Sequence, residues 1–170
     1  MRLRIRSTLY RKMTRALAEA GLNETGGVLM GEQLAPGNFR LVDFTVATRT
    51  GGPAHFERSA EEHGQKLEGF FGDTGNDYGR FNYLGEWHSH PRDLPLPSRQ
   101  DILAMRALLD EDPHIPFAVL LICRAIDDRL ALSATLFQPH LPHEEVEIVD
   151  DACSKISSGV APNVEDDDPE

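Results

Sequence analysis

Apolar and polar positions alternate in "RLRIR", Arg2 to Arg6, which predicts a short opening strand. From Ser7 the period changes. Leu9, Met13, Leu17 and Ala20 recur at helical spacing and share one face, with Ser7 at the N-cap position and Gly21 as the C-terminal stop. "TGGVLMGEQ" and "FRLVDFTVA" predict two strands across the turn "LAPGN". "SAEEHGQKLEGFF" predicts a helix capped by Ser59, and the glycine-rich polar loop "GDTGNDYG" follows it. "RFNYLGEWHSH" predicts a strand that ends at Pro91. "SRQDILAMRALLDED" is the clearest helix, opened by Ser98 and closed by Pro113, and "PFAVLLIC" and "RLALSATLF" add two strands through "RAIDD". No repeat period is present. Strands often adjacent in sequence, with helices between some of them, predict an α+β fold of αβα-like layering, a mixed sheet flanked by helices.

A length of 170 residues suits one domain with a real core. The net charge of −11 is unevenly spread: residues from His143 to Glu170 carry ten carboxylates and one lysine, so the preceding 142 residues are close to neutral. The expected organisation is a catalytic domain over 1–142, an acidic extension over 143–156 for which a helix is one option, and a disordered acidic tail over 157–170. At the other end, Arg2, Arg4, Arg6, Arg11, Lys12 and Arg15 have no acidic neighbour. They form either a solvated basic face or a docking patch for an acidic partner or the chain's own tail. The overall charge opposes nucleic-acid binding. Two cysteines, Cys123 and Cys153, are too few for a disulfide framework, and Cys123 falls in the apolar run "FAVLLIC" as a core residue. No apolar run reaches membrane-spanning length and the N-terminus has no apolar leader, so the expected setting is the cytoplasm, with no membrane partner.

The chemistry concentrates in "GEWHSHPRDLPLPSRQD", Gly85 to Asp101. Residues two apart on a strand project from one face, so His88 and His90 point together and Ser89 turns away. Two imidazoles so placed can share a divalent metal, zinc above all for nitrogen and carboxylate ligands. The prolines stiffen the loop that leads to Ser98 and Asp101, which read as a capping-box start, S-x-x-D. That pair has a purely structural use. Beside the histidines it acquires a second one: two histidines and an aspartate leave a fourth position for water, the composition of a catalytic zinc site.

"HSHP" followed by "SRQD" resembles the signature of the JAMM (MPN+) metalloproteases: H-x-H, ten residues, then aspartate, with serine three before it. That pattern also asks for an upstream glutamate near a glycine-rich strand, which "NETGGVLMG" supplies as Glu24. The likeness spans about Ser7 to Phe137, and "YLGEWHSHP" looks most like the bacterial deconjugases of antiphage operons. The resemblance implies a fold of the cytidine-deaminase-like type and a zinc-dependent isopeptidase that removes a ubiquitin-like protein from a target. It implies His88, His90 and Asp101 as zinc ligands, Glu24 as the general base that later protonates the departing lysine amine, and Ser98 as donor to the oxyanion. Zinc would lower the pKa of a bound water to about 7. Ubiquitin-activating-like and conjugating-like enzymes are the implied partners. Two other readings stay open: a peptidase that trims a sulfur-carrier-like protein after its C-terminal glycines, and a non-catalytic MPN scaffold.

Other residues compete for a role. Glu86 shares the face of His88 and is either a further ligand or a partner that orients His88. Glu32 reads as a solvated turn residue, and His55, His63 and His114 read as surface residues. His140 and His143 flank "LP" in a loop, a weak candidate for a second metal. A ubiquitin-like tail is expected to add to an exposed sheet edge near a narrow channel, whose walls the segments Gly72–Gly79 and "TRTGGPAHFE" would supply.

Overall fold

The computed structural model describes residues 1–47, 60–127 and 129–151. Eight strands and three helices follow in the order β1 (Arg2–Ile5), α1 (Ser7–Ala20), β2 (Gly26–Ala35), β3 (Asn38–Phe44), α2 (Ala60–Asp73), β4 (Phe81–Ser89), α3 (Arg99–Glu111), β5 (Ala118–Ile126), β6 (Arg129–Phe137), β7 (Glu144–Glu145) and β8 (Glu147–Asp150). They form one mixed sheet of order β7-β6-β5-β4-β2-β3-β1-β8. β4 lies at its middle, antiparallel to β2 and parallel to β5, with α3 as the crossover between the two parallel strands.

Alternation along β5 explains why this sheet needs cover on both faces. Val119, Leu121 and Cys123 enter one core with Leu9, Met13 and Leu17 of α1. Ala118, Leu120 and Ile122 enter a second core with Met105 and Leu109 of α3. The result is the expected α+β, αβα-layered fold. Trp87 seals the first core, edge-on to Phe44, with its indole N–H donating to the Thr45 carbonyl.

Local details correct the sequence reading in several places. Arg6, not Ser7, is the N-cap of α1, and its end has no side-chain cap bond, because Ser7 already lies inside the helix. Gly21 does end it, with φ of 62°. Residues 144–150 run as β7 and β8, not as a helix. "EEVEIVD" alternates, and Val146 is only 3 % exposed in the first core, so this segment closes the sheet rather than extending beyond it. β8 pairs in parallel with β1, and Asp151 accepts a bond from Arg40 while Arg2 donates to Glu147. Arg2 of the N-terminal basic face therefore pairs with an acid of the chain's own C-terminal strand. The Ser59 cap, His55, the "TRTGGPAHFE" wall, Cys153 and the tail beyond residue 151 lie outside the described residues. No helix among the described residues is long and apolar enough to cross a membrane.

Two polar residues expected at the surface are buried. Glu32 lies inside β2 and accepts bonds from Arg40 at 3.0 Å and Arg80 at 2.6 Å. Buried carboxylates persist when paired in this way, which a reading of the neighbouring sequence cannot supply. His63 is buried against the Thr45 hydroxyl, its Nδ1 at 2.7 Å. His114 is exposed as expected; His140 and His143 are exposed too, the latter stacked on Phe137, and neither belongs to the metal-competent group found among the described residues. The loop ending at Gly79 precedes β4, so it sits at the opposite end of that strand from the histidines, where Tyr78 and Gly79 line a separate cavity of about 260 Å3. It does not wall the site.

Candidate active site

β4 delivers His88 near its end, and His90 follows one residue past it. Two backbone bonds hold that end between its neighbours: Ser89 N–H donates to the Thr25 carbonyl and His90 N–H to the Cys123 carbonyl, both at 2.8 Å. Ser89 does turn away from the histidines, and its hydroxyl accepts the Thr25 N–H at 3.0 Å. That bond ties the residue next to Glu24 directly to the histidine strand. Gly26 makes the close approach feasible, since a Cβ there would collide with the Trp87 carbonyl and lie 2.9 Å from the His88 Cβ. Sequence reading missed Ser89 as a positioning residue. The signal, a serine between two histidines, becomes informative only once Thr25 is known to lie across from it.

Asp101 enters from α3. Ser98 and Asp101 form a complete capping box: the Ser98 hydroxyl accepts the Asp101 N–H at 3.2 Å and the Asp101 carboxylate accepts the Ser98 N–H at 2.6 Å. The same carboxylate reaches His88 Nε2 at 3.2 Å through Oδ1 and His90 Nε2 at 3.4 Å through Oδ2. The two Nε2 atoms are 3.1 Å apart. One ligand atom from each of His88, His90 and Asp101 falls within 4.8 Å of the others, a group that could hold a metal ion.

The donor set suits zinc. His90 Nδ1 lies 3.0 Å from the Leu94 carbonyl, which can only accept, so the ring proton sits there and Nε2 turns its lone pair into the cluster. Leu94 belongs to the proline-stiffened loop, and Arg124 anchors that loop by donating to the Asp93 carbonyl at 2.8 Å. Two imidazole nitrogens this close to each other and to a carboxylate are stable around a shared cation. Glu86 and Glu24 stand outside this three-residue group.

The electrostatics divide the carboxylates by role. Burial opposes ionisation of Asp101, but its contacts with His88 and His90 and the bond from the Ser98 N–H outweigh it and hold its carboxyl far below the usual range. His90 is raised by its bond to Asp101, against the opposing effect of burial. For Glu24 burial dominates and pushes the carboxyl up, with His88 and His90 pulling partly back. A carboxyl raised by burial beside this group can take up and release a proton.

Cluster and Glu24 lie at one end of a groove of about 910 Å3, which runs along the Gln100, Ala104, Ala107 and Glu111 side of α3. The burial of Cys123 pushes its thiol well up and removes it from nucleophilic chemistry.

An αβα sheet with a His-His-Asp group at the end of its central strand defines a protein with a metal-competent site under a crossover helix. The family model described as prokaryotic homologs of the JAB domain matches residues 6–134, and the chain belongs to that family. It is similar to two curated proteins named CD-NTase/cGAS isopeptidase. One, from Escherichia coli (strain TW11681), is 37 % identical over 86 residues, 46 % of this chain and 49 % of that protein. The other, from Enterobacter hormaechei subsp. hoffmannii (strain UCI 50), is 29 % identical over 112 residues, 61 % of this chain and 56 % of that protein. The chain spans about half the length of these relatives. A solution structure of a Desulfitobacterium hafniense protein shares the fold at a TM-score of 0.67 and 20 % identity, covering 87 % of this chain and 92 % of the other. One from Salinibacter ruber does so at 0.53 and 20 %, covering 91 % and 94 %.

Proposed function

We propose that this chain is a zinc-dependent isopeptidase that releases a ubiquitin-like protein from its conjugate. The observation that carries the reading is the convergence of His88, His90 and Asp101 at the end of a groove, with the burial-raised Glu24 carboxyl beside them. His88, His90 and Asp101 would hold the zinc. When bound, zinc supplies a nucleophile near neutral pH by acidifying water, and it polarises a carbonyl.

The chain's own groups account for the remaining steps. Glu24 accepts a proton from the attacking water and returns it to the departing amine, so the amine leaves neutral. The Ser98 hydroxyl already accepts the Asp101 N–H, which leaves its own proton to donate to the oxyanion that develops on the scissile carbonyl. The Leu94 carbonyl and the capping box keep His90 and Asp101 in register before substrate arrives.

The relatives' shared name supports a conjugate involving a CD-NTase-type protein as the substrate; ubiquitin-activating-like and conjugating-like enzymes, implied by the sequence resemblance alone, would be the source of that conjugate. The zinc-loaded chain should split such a conjugate at the isopeptide bond and leave both proteins intact. Removal of residues after the C-terminal glycines of a sulfur-carrier-like protein, with the conjugate untouched, would select the trimming peptidase instead. Failure to cut either substrate with zinc bound would select a scaffold.

A further inference from the structure

One strand, β5, holds His90 twice. Its Cys123 carbonyl accepts the His90 backbone N–H at 2.8 Å. The next residue, Arg124, reaches the ring by a longer path. Its Nη1 donates to the Asp93 carbonyl at 2.8 Å, and the adjoining Leu94 carbonyl lies 3.0 Å from His90 Nδ1. That second carbonyl also accepts the Leu96 N–H at 2.8 Å across Pro95, a tight turn that fixes the direction in which the oxygen points. Burial of its leucines does not hold this loop, residues 91–97, since Leu94 and Leu96 are 65 % and 55 % exposed. Pro91, Pro95 and Pro97 stiffen it but have no N–H to donate. Arg124 meanwhile keeps a buried Nε without an acceptor among the described residues, a costly state that proteins seldom retain without a use for the group.

Resting on the reading of His88, His90 and Asp101 as zinc ligands, we propose that Arg124 is a positioning residue for the metal. By tethering the Asp93 carbonyl it holds the Leu94 carbonyl against His90 Nδ1, and so keeps Nε2 aimed at the zinc. A carbonyl only accepts, so a ring bonded to it bears its proton on Nδ1 and presents the Nε2 lone pair. The bond from a guanidinium is charge-assisted, stronger than a neutral donor would make. Without it the stiff loop swings as a unit and carries the Leu94 carbonyl off the ring. His90 then rotates or changes tautomer, and the site loses one of its protein ligands for part of the time. Asp93, Leu94 and Leu96 also wall the groove, so the same tether sets a groove wall and a ligand together.

The test compares the full chain with Arg124→Met, which removes the donor from a long side chain, and Arg124→Lys, which restores one. Folding is checked by near-ultraviolet circular dichroism, and zinc affinity is measured by competition with a chromophoric chelator. Arg124→Met should bind zinc about 10- to 100-fold more weakly, and Arg124→Lys should recover at least about half of that loss on a logarithmic scale. The second readout is the His90 ring N–H, followed by nuclear magnetic resonance at saturating zinc. Its Nδ1 proton should exchange with water at least about tenfold faster in Arg124→Met, which a general loss of stability does not explain. If Arg124→Met does not fold, Arg124→Gln, whose donor is too short to reach Asp93, replaces it under the same expectations. Zinc affinity equal to the parent's overturns the proposal, as does an unchanged exchange rate or a lysine variant no better than the methionine one. A parent that binds zinc but cleaves neither substrate overturns the isopeptidase reading, and the difference in affinity still upholds this one. A parent that binds no zinc overturns both.

Discussion

Side chains around the cluster carry paired duties, and single substitutions separate them. Glu24 stands outside the metal-competent group, so on the proposed mechanism Glu24→Gln should retain zinc and lose turnover by about 10²- to 10⁴-fold. His90→Ala should lose zinc and turnover together, measured as metal content after gel filtration beside cleavage rate. Ser89→Ala removes the acceptor of the buried Thr25 N–H, at a cost of about 1–3 kcal/mol. Its midpoint in urea should fall while zinc stays bound. An unchanged midpoint would mean that Thr25 finds another acceptor. The grouping of His88, His90 and Asp101 was legible in the sequence because strand alternation and a capping box place them within fourteen residues, and Glu24 was proposed only through the family pattern. Ser89, the Leu94 carbonyl and the burial of Glu32 were not. Each depends on a partner brought near by the sheet: Thr25, the His90 ring, and Arg40 with Arg80.

Among the elements, long periodic segments declared themselves, and the short acidic ones did not. β7 and β8 hold six residues, four of them carboxylates. Their charge masks the alternation of Val146 and Ile148 toward the core. A chain cut after residue 142 loses both strands and the burial of Val146, about 3–5 kcal/mol with the flanking contacts. Its melting temperature should fall by about 10 °C. A chain cut after Asp151 should melt near the parent temperature and cleave a small substrate at the parent rate. Loss of cleavage there would place residues beyond 151 in the site.

β8 is also linked to α1 by pH. Burial, then the charge of Asp150 and a hydrogen bond to it, raise the Tyr10 phenol from 10.0 to about 12. A raised folded pKa means that the folded state keeps its proton longer. The contribution is fully present below pH 10 and is lost as pH rises from about 10 to about 12. The stability difference between the parent and Tyr10→Phe should therefore shrink across that window. A difference that holds constant through it would remove the link.

For the whole molecule, one sheet with two cores positions the chemistry at a single place, where β4 meets its crossover helix. The three-layer architecture followed from strands adjacent in sequence and interspersed helices. The parallel pairing of β8 with β1 did not, because no local pattern specifies a partner more than a hundred residues away. On the proposed mechanism, hydrolysis depends on a zinc held by His88, His90 and Asp101. The most direct test is to strip the chain of metal, measure cleavage of a conjugate or tail substrate, and then titrate zinc back while recording bound metal. Cleavage should vanish with the metal and return as the first equivalent binds, ignore thiol-blocking reagents, and stay absent in His90→Ala. Undiminished cleavage by the fully stripped chain would rule out a zinc-dependent hydrolysis.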